Sequence, residues 1–247
     1  MFRTATLALL VFLAPEPCPA AETPMDDAAR MLARADAPRD AFGEGVMDVR
    51  AIVKERGKPP VESRLTLYAK GTDKSLAVFR EGKQKDRKIL TDGDKVWLIV
   101  PGASRPVPVS KSQRLMGAAS FGDIARLRFA DEYTGALRPG DETVGETPCR
   151  VVDLTARRKG VGYPTGVLWL ATSDGLARRL RLSLASRKEA KEVTFTGYGE
   201  HGWVRTMEIR DLLSAGGENV TTLTFERYEP KALDPSMFDP EGAKSVP

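Results

Sequence analysis

Histidine is almost missing from this chain: His201 is the only one in 247 residues. Most histidine-based metal sites and general-base schemes are excluded with it. His201 sits between Glu200 and Gly202 in a turn-like stretch, where a lone histidine is simply solvated. Cysteine is scarce too, with only Cys18 and Cys149, and they form no Cys-x-x-Cys pair. The chain also lacks a Gly-x-Ser-x-Gly elbow, a His-Glu-x-x-His helix and a P-loop. Gly160-Val161-Gly162-Tyr163-Pro164-Thr165-Gly166 has neither the spacing nor the following helix of a dinucleotide loop, so it reads as a turn. Asp92 and Asp94 are neighbouring carboxylates, but they flank Gly93 and are explained by a tight turn. The expectation is a protein that is not an enzyme, with no cofactor and no metal. Charge of one sign is not in excess: 38 Lys and Arg against 34 Asp and Glu give +4, and the two signs are interleaved. A nucleic-acid partner, which calls for basic residues gathered on one face, is therefore not expected. No apolar run beyond the N-terminus is long enough to cross a bilayer.

The N-terminus has the form of a leader. Met1-Phe2-Arg3 is short and positive, and Ala5 to Leu13 is apolar but too short to span a membrane. Cys18 and Ala20 supply small residues for a cut after Ala20. The sequence predicts a signal peptide over residues 1–20 and one exported domain over 21–247. Pro15-Glu16-Pro17 does not suit a lipobox before Cys18. Removing the leader leaves Cys149 as the sole thiol, which excludes an intrachain disulfide.

After a helix over Asp26 to Asp36, with Met31 and Leu32 on its apolar side, strands dominate. Met47, Val49, Ala51 and Val53 share one parity, and Leu65, Leu67 and Ala69 another. Leu180, Leu182 and Leu184 oppose Arg179, Arg181 and Ser183. This period of two marks strands with one wet face. Turn signals recur every eight to fifteen residues up to the last strand, Val220 to Tyr228. The reading is mainly β: about ten strands joined by hairpins into an antiparallel sheet. A second short helix is expected to carry Leu115, Met116, Phe121, Ile124 and Leu127, and a helical turn is expected near Met237-Phe238. Two or three short helices are a scant cover for so wide a sheet. A sandwich, or a half-barrel with an apolar ligand inside, both answer that problem.

An ordered series of residues resembles the outer membrane lipoprotein-sorting proteins, the LolA-like periplasmic lipoprotein carriers. It runs through Asp92-Gly93, Trp97 to Pro101, Met116-Gly117, Phe121 and Asp123-Ile124. It continues with Tyr133, Gly145, Cys149 to Leu154, Tyr163, Leu168-Trp169-Leu170, Gly202-Trp203 and Met207, and closes on Leu233-Asp234 and Phe238. Gly117 to Ser120 is smaller than the family's usual residues there. The resemblance implies a single curled antiparallel sheet, a half-barrel capped by helices, whose interior takes acyl chains of a lipoprotein or lipid in the periplasm. An inner-membrane exporter and an outer-membrane acceptor are the partners it implies, for a monomer. The alternative is an envelope adaptor that docks on an exporter and carries no lipid.

Strand parity and helical spacing assign the candidate site. Leu65, Leu67, Trp97, Ile99, Trp169, Leu180 and Leu182 are expected to form the cavity wall. Met116, Phe121, Ile124 and Leu127 are expected to form a lid helix. Each also suits ordinary core packing. The basic runs Lys83 to Lys88, Arg157 to Lys159, Arg178 to Arg181 and Arg187 to Lys191 read as charges that solubilise turns and wet strand faces, although anionic lipid headgroups also suit them. Mass spectrometry of the protein from a periplasmic extract is expected to find Ala21 as its first residue; an intact Met1 in that fraction contradicts the leader.

Overall fold

The computed structural model describes residues 26–40, 43–120, 128–159, 161–199 and 203–247. The leader expected over 1–20 lies outside them. α1 (Asp27–Asp40) comes first and buries Ala28, Leu32 and Ala35 on one side. Five hairpin-linked strands follow: β1 (Glu44–Lys54), β2 (Val61–Lys70), β3 (Lys74–Phe79), β4 (Lys88–Asp92) and β5 (Lys95–Ile99). Next are β6 (Val107–Val109), a small hairpin of β7 (Arg114–Met116) and β8 (Ala119–Ser120), and the one-turn helix α2 (Phe129–Glu132). The second half holds β9 (Tyr133–Val144), β10 (Thr147–Ala156), β11 (Thr165–Ala171), β12 (Ala177–Ser183), β13 (Glu189–Tyr198), β14 (Val204–Asp211) and β15 (Val220–Pro230).

Among the described residues, thirteen strands make one open sheet in the order β6-β5-β4-β3-β2-β1-β15-β14-β13-β12-β11-β10-β9, all antiparallel. β1 pairs with β15, so the two halves of the chain join at the middle of the sheet. We call the end of the sheet where β1 begins the upper end and the opposite one the lower end. The sheet's two outermost strands each carry a proline, Pro108 in β6 and Pro139 in β9. Proline cannot donate to a further strand, which discourages edge-to-edge pairing.

Thirteen strands exceed the ten or so expected, and the difference is informative. β9 was not anticipated because Leu137 is its only large aliphatic residue between Tyr133 and Val144; it is an edge strand with mostly exposed positions. The expected helix through Met116 is corrected: Met116 ends β7, and Gly117 turns the chain at φ +51° into β8. A left-handed glycine is incompatible with a continuing helix. Phe121, Ile124 and Leu127 lie outside the described residues, as does His201. The helix expected near Asp26 is present as α1, and the turn near Met237 is a 3-10 turn.

Because strand side chains alternate, one sheet has two faces to satisfy. On the outer face of β3 and β4, Leu76, Val78 and Leu90 are buried beneath the C-terminal segment, which packs Leu233, Phe238, Ala243 and Val246 on them. Buried Lys88 fixes this strap. Its ammonium donates to the carbonyls of Ala243 (3.1 Å), Lys244 (2.7 Å) and Val246. The strap's first residues are held by Glu44, whose carboxylate accepts from Leu233 N at 2.6 Å and from Lys70 Nζ. The Lys70 hydrogen bond, then that of Leu233, holds the Glu44 carboxyl below the usual carboxylate range. A lowered carboxyl pKa stabilises the fold above the usual range, and this contribution is lost as pH falls through the lowered value. Lys88→Met leaves three carbonyls without their donor. It is expected to cost about 1–3 kcal/mol and to expose residues 231–247 to limited proteolysis before the sheet is cut.

Candidate functional site: the inner face and its cover

The inner face of the sheet is apolar across almost its whole width. A single buried cluster takes Met47, Val49 and Ala51 from β1, Leu65 and Leu67 from β2, and Ile89 and Val96 from β4 and β5. It continues through Leu223, Ile209, Phe195, Leu180 and Leu182, and reaches Val152 and Leu154 of β10. One contiguous cluster from β5 to β10 requires the sheet to curl around it. Four of the expected wall residues, Leu65, Leu67, Leu180 and Leu182, meet here, and Met116 joins them. Three do not. Trp97 and Ile99 belong to the outer cluster beneath the C-terminal strap, while their neighbours Val96 and Leu98 face inward. Trp169 lies in a separate outer cluster with Cys149, Val151 and Ala171, while Leu168 and Leu170 face inward. In these strands both faces are buried, so alternation alone could not tell inner from outer. Trp169 is instead an anchor of the outer face. Its Nε1 donates to Glu142 at 2.8 Å, and the guanidiniums of Arg179 and Arg181 stand 5.5 and 5.8 Å from its ring.

The lower end of the interior is closed by the β7–β8 hairpin, which contributes Met116, Ala118 and Ala119. The buried Thr221 hydroxyl accepts from Ala118 N at 2.9 Å and lies 3.4 Å from the Met116 carbonyl, to which it donates. The fit at Gly117 is tight: a Cβ there would lie 2.5 Å from Thr221 Oγ1 and 2.6 Å from Val53 Cγ1. Lys191, 3% exposed, donates from Nζ to Ser120 Oγ at 3.0 Å and stands 5.4 Å from the Tyr163 ring centre. The side cover is α1. Gly135 of β9 lets it approach closely, since a Cβ there would meet Ala28 at 3.1 Å and Leu32 at 3.3 Å. Asp36 of α1 then accepts from Phe129 N (3.0 Å) and Ala130 N (2.8 Å) at the start of α2, which seats Phe129 in the core. The upper end carries half-buried aromatics, Tyr198, Trp203, Phe225 and Tyr228, packed against the rim of the cluster. Sequence reasoning missed these; for Tyr198 and Tyr228 the bulges in β13 and β15 shift the parity.

Charge joins the two edges of the open sheet. Lys111, just past β6, reaches Glu132, just before β9, at 3.0 Å. Asp94 of the β4–β5 turn pairs with Arg158 of the β10–β11 turn and lies 3.6 Å from Lys111. Parts of the chain far apart in strand order are thus clasped by a four-residue ion network. Its signal in the sequence was only four charges scattered outside the strands. The Arg158 hydrogen bond chiefly holds the Asp94 carboxyl below the usual range. Among the described residues no helix is long and apolar enough to cross a membrane, and no group of three or more His, Cys, Asp or Glu could hold a metal ion.

The open, curled sheet with its helical cover is the LolA-like fold. A LolA superfamily protein of Nitrosomonas europaea is similar, with a TM-score of 0.77 at 22% identity over 87% of this chain and 98% of the other. An outer membrane lipoprotein-sorting protein domain of Vibrio parahaemolyticus gives 0.75 at 17% identity, over 88% and 98%. A DUF1329 family protein of Desulfovibrio piger gives 0.74 at 20%, over 86% and 95%. A family model described as "-like: Uncharacterized protein" matches residues 71–242, more than half of the chain, and the chain belongs to that family. No curated protein matches the sequence.

Asp94→Asn removes the shared carboxylate of the clasp. Because the pair is exposed, the cost to global stability is expected to be below about 1 kcal/mol. Amide hydrogen exchange is expected to rise in residues 107–111 and 128–132, and the same residues are expected to loosen in the parent protein only as pH falls through the lowered Asp94 pKa. Unchanged exchange in Asp94→Asn excludes Asp94 from the tie between the edges and leaves it to Lys111–Glu132.

Proposed function

We propose that the protein is a periplasmic carrier that binds acyl chains of lipoproteins or lipids against the inner face of its sheet and moves them toward the outer membrane. The observation that carries this reading is the apolar inner face, continuous from β5 to β10, beneath a cover made of separate pieces. α1, the β7–β8 hairpin and α2 are separate elements, tied to the sheet and to one another by contacts such as Thr221 with Ala118, Asp36 with Phe129, Lys191 with Ser120 and Lys111 with Glu132. Such a cover can part without breaking the sheet ladder. The likeness to a lipoprotein-sorting domain supports the same reading.

The physical demand on a carrier is a balance. An acyl chain gains roughly 0.8 kcal/mol for each methylene taken out of water. A dry wall must match the membrane closely, because weaker binding leaves the chain in the bilayer and tighter binding prevents release. Leu65, Leu67, Leu180 and Leu182 supply aliphatic wall without polar groups to desolvate. Met116 is the described part of the lid sequence, and Phe121, Ile124 and Leu127 complete it in this proposal. An inner-membrane exporter and an outer-membrane acceptor are the partners this route requires. The prolines on both outermost strands favour a monomer.

Delipidated protein is expected to take up a fluorescent fatty acid at one or a few sites, displaceable by unlabelled lipid. Protein taken from the periplasm is expected to carry lipid detectable by mass spectrometry. Absence of both favours an adaptor that carries nothing.

A further inference from the structure

Beside the clasp lies a cleft of about 520 Å3, within the rough range of 300–1,000 Å3 of ligand clefts. Its floor belongs to the inner face of the sheet. On β3 that face runs Phe79, Ala77, Ser75, and on β4 it runs Ile89, Thr91. Toward the upper end both rows change from apolar to hydroxyl, and Ser75 and Thr91 are paired across the two strands. Both are buried, Thr91 to 6% exposure, and Thr91 Oγ1 has no hydrogen-bond partner among the described residues. A buried hydroxyl without a partner is costly and points to a ligand group that would satisfy it.

The walls carry four cations and four carboxylates, among them Lys111 and Arg158 against Asp94 and Glu132. A lone anion entering here would have to leave carboxylates without their cations. A zwitterion would not: its phosphate takes the guanidinium and ammonium groups while its own ammonium takes the carboxylates, so each ion pair is exchanged for another. The hydroxyls of Thr91 and Ser75 then donate to phosphate oxygens. The apolar floor next to them, Ala77 and Ile89, continues into the interior.

We infer that this cleft seats the zwitterionic headgroup of a phospholipid of the phosphoethanolamine type, with its acyl chains in the interior. This rests on the acyl-carrier reading and names the class of its ligand. Entry of the headgroup replaces the partners within the clasp, so loading and loosening of the sheet edges are one event.

The test is calorimetric titration of the delipidated full chain with four probes: dioctanoyl phosphatidylethanolamine, dioctanoyl phosphatidylglycerol, dioctanoylglycerol and free phosphoethanolamine. Phosphatidylethanolamine is expected to bind about tenfold or more tightly than each of the others, the worth of a charge-assisted contact that only it makes in full. Thr91→Val is expected to lower the preference over dioctanoylglycerol by about two- to tenfold while leaving the melting temperature unchanged or raised, because the variant removes an unsatisfied hydroxyl. A purely structural Thr91 would not separate the two readouts. Equal binding of phosphatidylethanolamine and dioctanoylglycerol overturns the headgroup site and leaves the carrier standing. Phosphatidylglycerol binding as tightly as phosphatidylethanolamine overturns the zwitterion, and free phosphoethanolamine binding as tightly overturns the lipid. Binding of none of the four overturns both this inference and the carrier.

Discussion

An apolar sheet face must be kept from water, and here it is almost thirteen strands wide with two helices among the described residues to cover it. Burying apolar area contributes roughly 25 cal/mol per Å2, so a flat sheet with this inner face would be unstable in water. Curling is the solution the chain adopts. Rows from β2 and from β12 then face each other, and Leu65, Leu67, Leu180 and Leu182 share one cluster although more than a hundred residues separate them. The small hairpin at the lower end, α1 at the side and the clasp at the edges each close one opening that curling leaves.

An open curled sheet differs from a closed barrel in one energetic respect. A barrel's last seam is a ladder of backbone hydrogen bonds, whereas here the edges β6 and β9 are related by Lys111–Glu132 and Asp94–Arg158. Surface ion pairs contribute about 0–1 kcal/mol each, and among the described residues no backbone ladder between β6 and β9 is added to them. Access to the interior through the seam or beneath the cover leaves the pairing of β1 with β15, which joins the two halves, intact. The outer face is treated differently. The C-terminal strap is fixed by Lys88 through three carbonyls and by Glu44 through Leu233, and the strap, unlike the clasp, buries large side chains. One face is covered by a single C-terminal segment and the other by three separate elements.

The sequence carried the strands well wherever one face was wet. Met47, Val49 and Ala51, and likewise Leu180 and Leu182, alternate with charges, and the structure buries them as their parity requires. It carried them poorly where both faces are buried or neither is. Strand parity puts Trp97, Ile99 and Trp169 on the expected wall, but they face outward, where a strap or a set of arginines covers them. β9 escaped notice because an exposed edge strand needs little apolar content. The spacing of Met116 with Phe121 and Ile124 suggested a helix, but Gly117 turns the chain at positive φ after Met116, and a threonine more than a hundred residues away binds the resulting hairpin through its hydroxyl.

By itself the sequence determined the antiparallel β character, the turn positions and the supply of apolar side chains, because period two and turn chemistry are local properties of the chain. It also set the absence of the common catalytic motifs. Which face became the interior, which residues met there and how the edges were joined were decided only in three dimensions. Those outcomes depend on contacts between distant strands: Asp36 with Phe129, Thr221 with Ala118, Asp94 with Arg158 and Lys88 with Ala243. Each joins residues dozens to more than a hundred and fifty positions apart, and no local pattern specifies such a pair.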